Sequence, residues 1–347
     1  MRTSRKLDHL KLALESNQNV CTSFQNVHFV HQALPEIALD KISLTTMFGG
    51  LNISSPIIIN AMTGGALETT EINEKLAIIA RETGVALAVG SQMSAIRDKE
   101  LINTYQIVRK VNPNGVIFAN LGMEATVDQA LEAIDMLNAD ALQIHLNVVQ
   151  ELVMPEGDRS FEGALDRLQA INEAISVPLI VKEVGFGISY ETAKKLADRG
   201  IKIIDVGGKG GTNFAKIENS RREASLSIFN DWGIDTAASL LEVKRLKNIE
   251  LIATGGIQNS LQIAKAIGLG ANAVGIVGAI LRSIINEGVE GTIDYIEGLH
   301  AELKLIMTSL GASNLEGLQQ KPIVILGDLK DWCDLRGIEL NALAQRG

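Results

Sequence analysis

Leu142-Gln143-Ile144-His145-Leu146-Asn147-Val148-Val149-Gln150-Glu151 begins as an alternation and ends as a polar cluster. Leu142, Ile144 and Leu146 alternate with Gln143, His145 and Asn147. A period of two is that of a strand with one packed and one polar face. The stretch closes on a base, two amides and a carboxylate. Two readings stand at this point: the catalytic end of a strand, or a polar loop in which His145 is merely hydrogen-bonded.

The same unit recurs on both sides. Upstream, residues 57–59 form an apolar run that ends in Asn60-Ala61-Met62-Thr63-Gly64-Gly65. A helix follows with Ile72, Leu76, Ile79 and Ala80 on one side, stopped by Gly84. Residues 85–89 are the next strand, ending in Gly90-Ser91-Gln92, and residues 116–119 end at Asn120. Thr126 and Gln129 then stand at capping-box spacing. Downstream, a helix is expected over 161–175, a strand over 179–182, and a helix capped by Ser189 before Gly200. A strand over 203–206 leads into residues 207–235, whose glycines, Thr212 and charged run from Glu218 to Glu223 suggest a mobile active-site loop. Helix 236–247, strand 251–253, a helix boxed by Asn259 and Gln262, and strand 273–276 complete the series.

Eight short apolar strands alternating with helices over roughly 230 residues suit an α/β fold of the TIM (β/α)8 type, which takes about 250. A doubly wound open sheet is the competitor. No GxGxxG follows the first strand, which disfavours a dinucleotide-binding sheet. Thr63, Ser91, Asn120, His145, Asn147, Lys182, Gly207, Gly208, Gly255 and Gly256 all fall at strand C-terminal ends, where barrels place their chemistry. The expected organisation is one domain, with a barrel core over about 56–287, an N-terminal extension over 1–55 and C-terminal helices and tail over 288–347.

Bulk properties narrow the function. The 347 residues are 46% hydrophobic and 21% charged, the balance of a soluble globular protein. A net charge of -9 argues against a broad nucleic-acid surface. Cys21 and Cys333 share no CxxC spacing, and the N-terminus carries no apolar signal region, so a disulfide-free cytoplasmic protein is expected. The apolar run from Ala273 is broken at Arg282 and is too short to span a bilayer.

Several groups carry specific chemistry. Gly255-Gly256 and Gly275 to Gly278 follow the seventh and eighth strands, where barrels commonly bind phosphate through backbone N–H groups. Lys182 shares the parity of Ile180 and would point to the barrel top, to form a Schiff base, hold an anion or stabilise negative charge on a flavin. A structural ion pair with Glu183 is the alternative. Gly207-Gly208-Lys209-Gly210-Gly211 can wrap a cofactor or serve as a flexible linker. Glu151 offers a hard oxygen to Mg²⁺. Arg97 and the Arg5-Lys6 pair are further cations.

Together these stretches resemble one family, the flavin-dependent type 2 isopentenyl-diphosphate isomerases. The matching segments are Arg5-Lys6, Asn60 to Gly65, Gly90-Ser91-Gln92 with Arg97, Asn120, His145-Leu146-Asn147 to Gln150-Glu151, Val181 to Gly185, Gly208 to Thr212, Trp232-Gly233 and Gly255-Gly256. The resemblance implies a homo-oligomer (tetramer or octamer) that interconverts isopentenyl and dimethylallyl diphosphate without net redox change. It implies FMN, Mg²⁺ and reduction of the flavin by NADPH or NADH. By the same resemblance Met62, Thr63, Gly64, Ser91, Asn120, Lys182, Thr212, Gly255, Gly256, Val277 and Gly278 hold FMN. Arg5, Lys6, Arg97, His145, Asn147 and Gln150 meet the isoprenyl diphosphate, Glu151 ligates the metal, and Gln150, Lys182 and His145 serve the reaction. Gly207 stands where serine is common in the family, and Lys209 where arginine is. The rivals are an FMN-dependent hydroxy-acid oxidase or dehydrogenase, which needs a late histidine base where this chain has only His300, and a non-catalytic flavin-binding barrel.

Overall fold

The computed structural model describes residues 23–347. A short strand β1 (Val27–Phe29) and the hairpin β2 (Thr46–Phe48) and β3 (Leu51–Ile53) precede the main sheet. Eight parallel strands then close on themselves in sequence order: β4 (Ile57–Ile59), β5 (Ala86–Ala88), β6 (Ile117–Gly122), β7 (Ala141–Leu146), β8 (Leu179–Glu183), β9 (Ile203–Asp205), β10 (Glu250–Thr254) and β11 (Ala273–Ile276). Helices link each to the next, so the architecture is the TIM (β/α)8 barrel.

Local chemistry sets the helix starts and stops. Thr126 accepts from the Gln129 N–H while the Gln129 side chain accepts from the Thr126 N–H, the reciprocal cap of helix Val127–Leu137. Ser189 caps Tyr190–Ala197 and Asn259 caps Ser260–Gly268. Gly84 ends Thr70–Thr83 with a left-handed φ of 68°.

The barrel interior changes character along its axis. Ile58, Ala88, Phe118, Ala141, Ile180, Ile203, Ile252 and Ala273 pack together inside it, with Phe48 and Ile53 of the hairpin sealing the cluster. The Phe48 ring meets Phe118 edge-on, with centroids 6.0 Å apart. The Gly49 N–H at the hairpin turn donates to Glu250, the first residue of β10, which fixes the plug at the N-terminal end. Two residues further along the strands, on the same face, stand Asn60, Gly90, Asn120, Gln143, Lys182, Asp205, Thr254 and Gly275. An apolar floor thus supports a polar layer one step nearer the strand C-terminal ends.

The two ends of the described stretch are joined outside the barrel. Strand β12 (Ile323–Ile325) pairs antiparallel with β1, Val27 opposite Ile325. Helix Gly327–Leu335 is followed by Arg336, whose guanidinium bonds Glu242 and Glu191 on the barrel helices. Glu242 is fully buried, and Arg336, Trp332 Nε1 and Arg245 together satisfy its carboxylate.

Some expectations shift. The strand expected over 116–119 runs to Gly122, placing Asn120 within β6 instead of after it. Gln150 and Glu151 lie on a short helix, Val148–Val153, and not on a loop. The helix expected over 161–175 covers Ala164–Ala174, and that over 236–247 covers Thr236–Lys244. Residues 207–235 contain helix Phe214–Asn219 and a 3-10 turn at Ser227–Phe229. Asn219 holds that excursion together, accepting from the Leu226 N–H at 2.7 Å and donating to Asn230 at 2.8 Å. The tail after 288 also supplies β12, a strand too short to show a period in sequence.

Candidate active site

A cavity of about 540 Å³ opens at the strand C-terminal ends. Met62, Thr63 and Gly64, Ser91 and Arg97, Asn120, His145, Asn147, Gln150, Glu151, Lys182, Thr212, Gly255, Gly256, Val277 and Gly278 all line it. Every site residue expected from sequence within the described stretch therefore meets in one place. Arg5 and Lys6 lie outside the described residues.

One side of the cavity is built from backbone. Gly255 and Gly256 follow β10 with φ of 122° and 73°, a region that side-chain-bearing residues rarely adopt. A Cβ on Gly255 would stand 2.1 Å from the Gly208 carbonyl oxygen, so the two glycine loops pack backbone to backbone. Thr236 Oγ1 donates to the Gly255 carbonyl at 2.8 Å and locks the turn. Beside it, Val277 precedes helix Gly278–Ser309, whose first N–H groups have no partner within the helix. Arg282, one turn in, also lines the cavity, and its Nη1 is buried without a hydrogen-bond partner among the described residues. A left-handed glycine pair, a helix N-terminus and an unpaired guanidinium N–H fit a phosphate group. Sequence reading missed Arg282, where it registered only as the residue that breaks an apolar run.

The opposite side carries side chains. Asn120 Nδ2 donates to the Val89 carbonyl at 3.0 Å, so its Oδ1 is left to accept. His145 Nδ1, 3.0 Å from that oxygen, is therefore the donor. Burial, with Lys182 nearby, pushes the His145 pKa down to about 3, so the ring is neutral near pH 7. Fully buried Gln92 fixes Asn120 in turn, accepting its N–H at 3.0 Å.

Lys182 is buried and its Nζ donates to the Glu183 carbonyl oxygen at 2.7 Å. The Glu183 carboxylate instead accepts the backbone N–H groups of Val184, Gly185 and Phe186, and burial pushes its pKa up to about 7. The side-chain pair between these neighbours is thus not formed. Gly207 has φ of 44°, and a Cβ there would fall 1.9 Å from the Glu183 carbonyl oxygen. That crowding and the positive φ leave no room for a side chain at this position. Lys209 turns away to the Asp231 carbonyl at 3.3 Å.

Glu151 sits at the rim. Its carboxylate accepts from Asn147 Nδ2 at 2.9 Å and from the Asp158 N–H at 2.8 Å. Burial raises its pKa against the hydrogen bonds from the Asp158 N–H and Asn147, which lower it, and the nearby Asp158 and Glu124 charges add to the rise. No group of three His, Cys, Asp or Glu among the described residues is arranged as a metal site. A metal here would draw on one main carboxylate, which suits Mg²⁺ completing its shell with water and phosphate.

Gln150 donates through Nε2 to Glu218 Oε1. Glu218 also pairs with Arg221, which reaches Glu156 at 2.8 Å. The run from Glu218 to Glu223 reads in sequence as part of a mobile active-site loop, and within it Glu218 is fully buried. His300, the late histidine, is remote from this cavity: its Nε2 lies 2.7 Å from Ser55 Oγ, just before β4.

Comparison with known proteins agrees with this geometry. The FMN-dependent dehydrogenase family matches residues 93–325. The isopentenyl-diphosphate delta-isomerase of Geobacillus sp. (strain WCH70) is 52% identical over 347 residues, covering 99% of each chain. That of Bacillus cereus (strain AH187) is 52% identical over 348 residues, covering 100% of both. Among solved structures, a lactate oxidase from Pediococcus acidilactici aligns with a TM-score of 0.66 at 17% identity, covering 92% of this chain and 87% of that one. A mandelate oxidase variant carrying an FMN adduct aligns at 0.62 and 17%, covering 92% of each. At that identity the likeness is one of fold.

Proposed function

Because the chain belongs to the isopentenyl-diphosphate delta-isomerase family, in its FMN-dependent type 2 form, we propose that the cavity holds reduced FMN and Mg²⁺ and interconverts isopentenyl and dimethylallyl diphosphate. The observation that carries this reading is the division of one cavity into a phosphate-accepting backbone side and a side bearing Lys182, His145, Asn147, Gln150 and Glu151.

Reduced FMN supplies an electron-rich face and an exchangeable proton beside a double bond whose migration adds a proton at one carbon and removes one from another. Gly255, Gly256, Gly278 and Arg282 hold its phosphate. Met62, Thr63, Gly64, Ser91, Asn120 and Thr212 enclose the remainder, and Lys182 stabilises negative charge on it. Glu151 holds Mg²⁺, which with Arg97 and the Arg5-Lys6 pair takes the diphosphate. His145, neutral and fixed by Asn120, orients substrate instead of acting as an acid. Gln150, aimed by Glu218, positions the alkene. Fixing so small an alkene in register is what converts binding into rate. NADPH or NADH is the proposed reductant, and a homo-oligomer the proposed assembly. Among the described residues no helix is long and apolar enough to cross a membrane.

The hydroxy-acid oxidase reading requires a histidine base over the flavin, and His300 is bound to Ser55 outside the cavity. The deciding experiment is direct. Purified protein should be yellow, and anaerobic incubation with isopentenyl diphosphate, Mg²⁺ and NADPH should yield the dimethylallyl isomer. Colourless protein that takes up no added FMN would sink the proposal.

A further inference from the structure

The polar layer that floors the cavity contains a carboxylate that no role above uses. Asp205 is fully buried at the end of β9, beside Lys182 in strand register. Its surroundings determine its charge by proton inventory. Asn60 Oδ1 accepts the Ala61 N–H at 2.9 Å and Gln143 Nε2 at 3.0 Å, so the Asn60 amide cannot be turned over. Asn60 Nδ2 therefore donates, to Asp205 Oδ2 at 2.7 Å and to Thr254 Oγ1 at 2.9 Å. Having accepted, the Thr254 hydroxyl gives its own proton to Asp205 Oδ2 at 3.0 Å. The Gly207 N–H donates to Oδ1 at 3.2 Å. Three donors thus converge on Asp205, and among the described residues its one hydrogen-bonded neighbour able to take an acid proton is the Thr254 hydroxyl, which already accepts from Asn60. Burial holds the Asp205 pKa above its ordinary value, against the pull of Lys182 and the three donors, which favour the charged form.

Resting on the FMN reading above, we propose that Asp205 is an ionised carboxylate that offsets the charge of Lys182 at the floor of the flavin site and so lowers the reduction potential of the bound cofactor. A fixed negative charge in a buried, weakly screened site disfavours added electron density on its neighbour. Lys182 favours that density, so the cofactor sits between two opposed fixed charges. Lys182 Nζ is bonded to the Glu183 carbonyl and Asp205 to Asn60, Thr254 and Gly207, with no ion pair joining the two among the described residues, so neither charge is cancelled by contact. Such an arrangement permits Lys182 to hold a reduced flavin without making it a poor electron donor to the alkene.

The test is an anaerobic redox titration of the FMN-loaded protein against an indicator dye. Asp205→Asn, which keeps the shape and removes the charge, should shift the reduced-to-oxidised ratio toward reduced flavin about tenfold at a given potential. For a two-electron couple that is about 30 mV in the positive direction. Asp205→Ser, which leaves room for water, is the second variant should the first not fold, and it should move the potential the same way. A yellow variant whose potential is unchanged, or shifts negative, overturns the inference and leaves the FMN reading intact. A parent protein that takes up no FMN overturns both.

Discussion

The side-chain amide of Gln150 donates to Glu218 across 3.2 Å, and Glu218 exposes no surface. A buried carboxylate that spends one oxygen on this amide and the other on Arg221 sets which way Gln150 presents its carbonyl. Hydrogen bonds to charged groups contribute about 1.5–3 kcal/mol, so freeing Gln150 should cost roughly ten- to a hundredfold in rate. Glu218→Gln is expected to lower kcat by that amount, with FMN content unchanged. Steady-state kinetics with the flavin absorbance as a loading control would check it, and unaltered kcat would show the contact to be idle.

Glu151 carries the metal argument. Glu151→Gln keeps the shape and one of the two accepted hydrogen bonds but removes the charge that a hard cation needs. The Mg²⁺ concentration for half-maximal activity should rise by at least about tenfold, while the yellow colour is retained. Loss of flavin in this variant would mean that the residue supports the cavity wall instead.

Arg282 offers a sharper discriminator. One charge-assisted bond to phosphate is about twice as strong as a neutral one. Arg282→Met should weaken FMN binding by roughly ten- to a hundredfold and leave riboflavin binding unaffected. Equal losses for both ligands, read by fluorescence quenching, would place the guanidinium away from the phosphate.

Gly255 tests the backbone side. Its φ of 122° strains any other residue, at about 1–3 kcal/mol, and an added Cβ would meet Gly208 at 2.1 Å. Gly255→Ala should therefore lower both the thermal midpoint and the FMN content per chain. A fully loaded variant with unchanged melting would contradict the described turn.

Stability should respond to acid through His145. Its pKa is lowered in the folded state from 6.5 to about 3 by burial. The unfolded chain takes up that proton first, so the contribution is fully present above pH 6.5 and is lost as pH falls toward 3. Glu183, raised from 4.5 to about 7 by burial, works the other way, with its contribution lost as pH rises through 4.5 to 7. In His145→Gln the fall in thermal midpoint from pH 6.5 to 5 should be shallower than in the parent. An identical slope would mean that other groups govern the acid limb.

Short apolar runs alternating with helical stretches made the barrel strands legible, and within each run alternate residues share a face. The cavity residues could be read for the same reason: parity carries Ile180 to Lys182 and places both inside. What escaped reading depends on partners distant in sequence. Glu218 sits in a charged run that reads as part of a mobile loop, and only the fold buries it against Gln150. The hydrogen bonds that surround Asp205 come from Asn60, just after β4, and Thr254 on β10, with Gln143 on β7 behind Asn60. Strands β1 and β12 are three residues each, too short for any periodicity to register.

The pairing of β1 with β12 has a consequence during synthesis. Its two halves lie nearly the whole chain apart, Val27 against Ile325. A ribosome adds about 5–20 residues per second, so β1 waits on the order of tens of seconds for its partner. Through that interval the strand that follows the Arg5-Lys6 segment is an open template for other chains. A nascent or truncated chain that stops short of Ile323 keeps that edge permanently unpaired, which makes loss of the last residues a hazard to solubility before it is a hazard to catalysis.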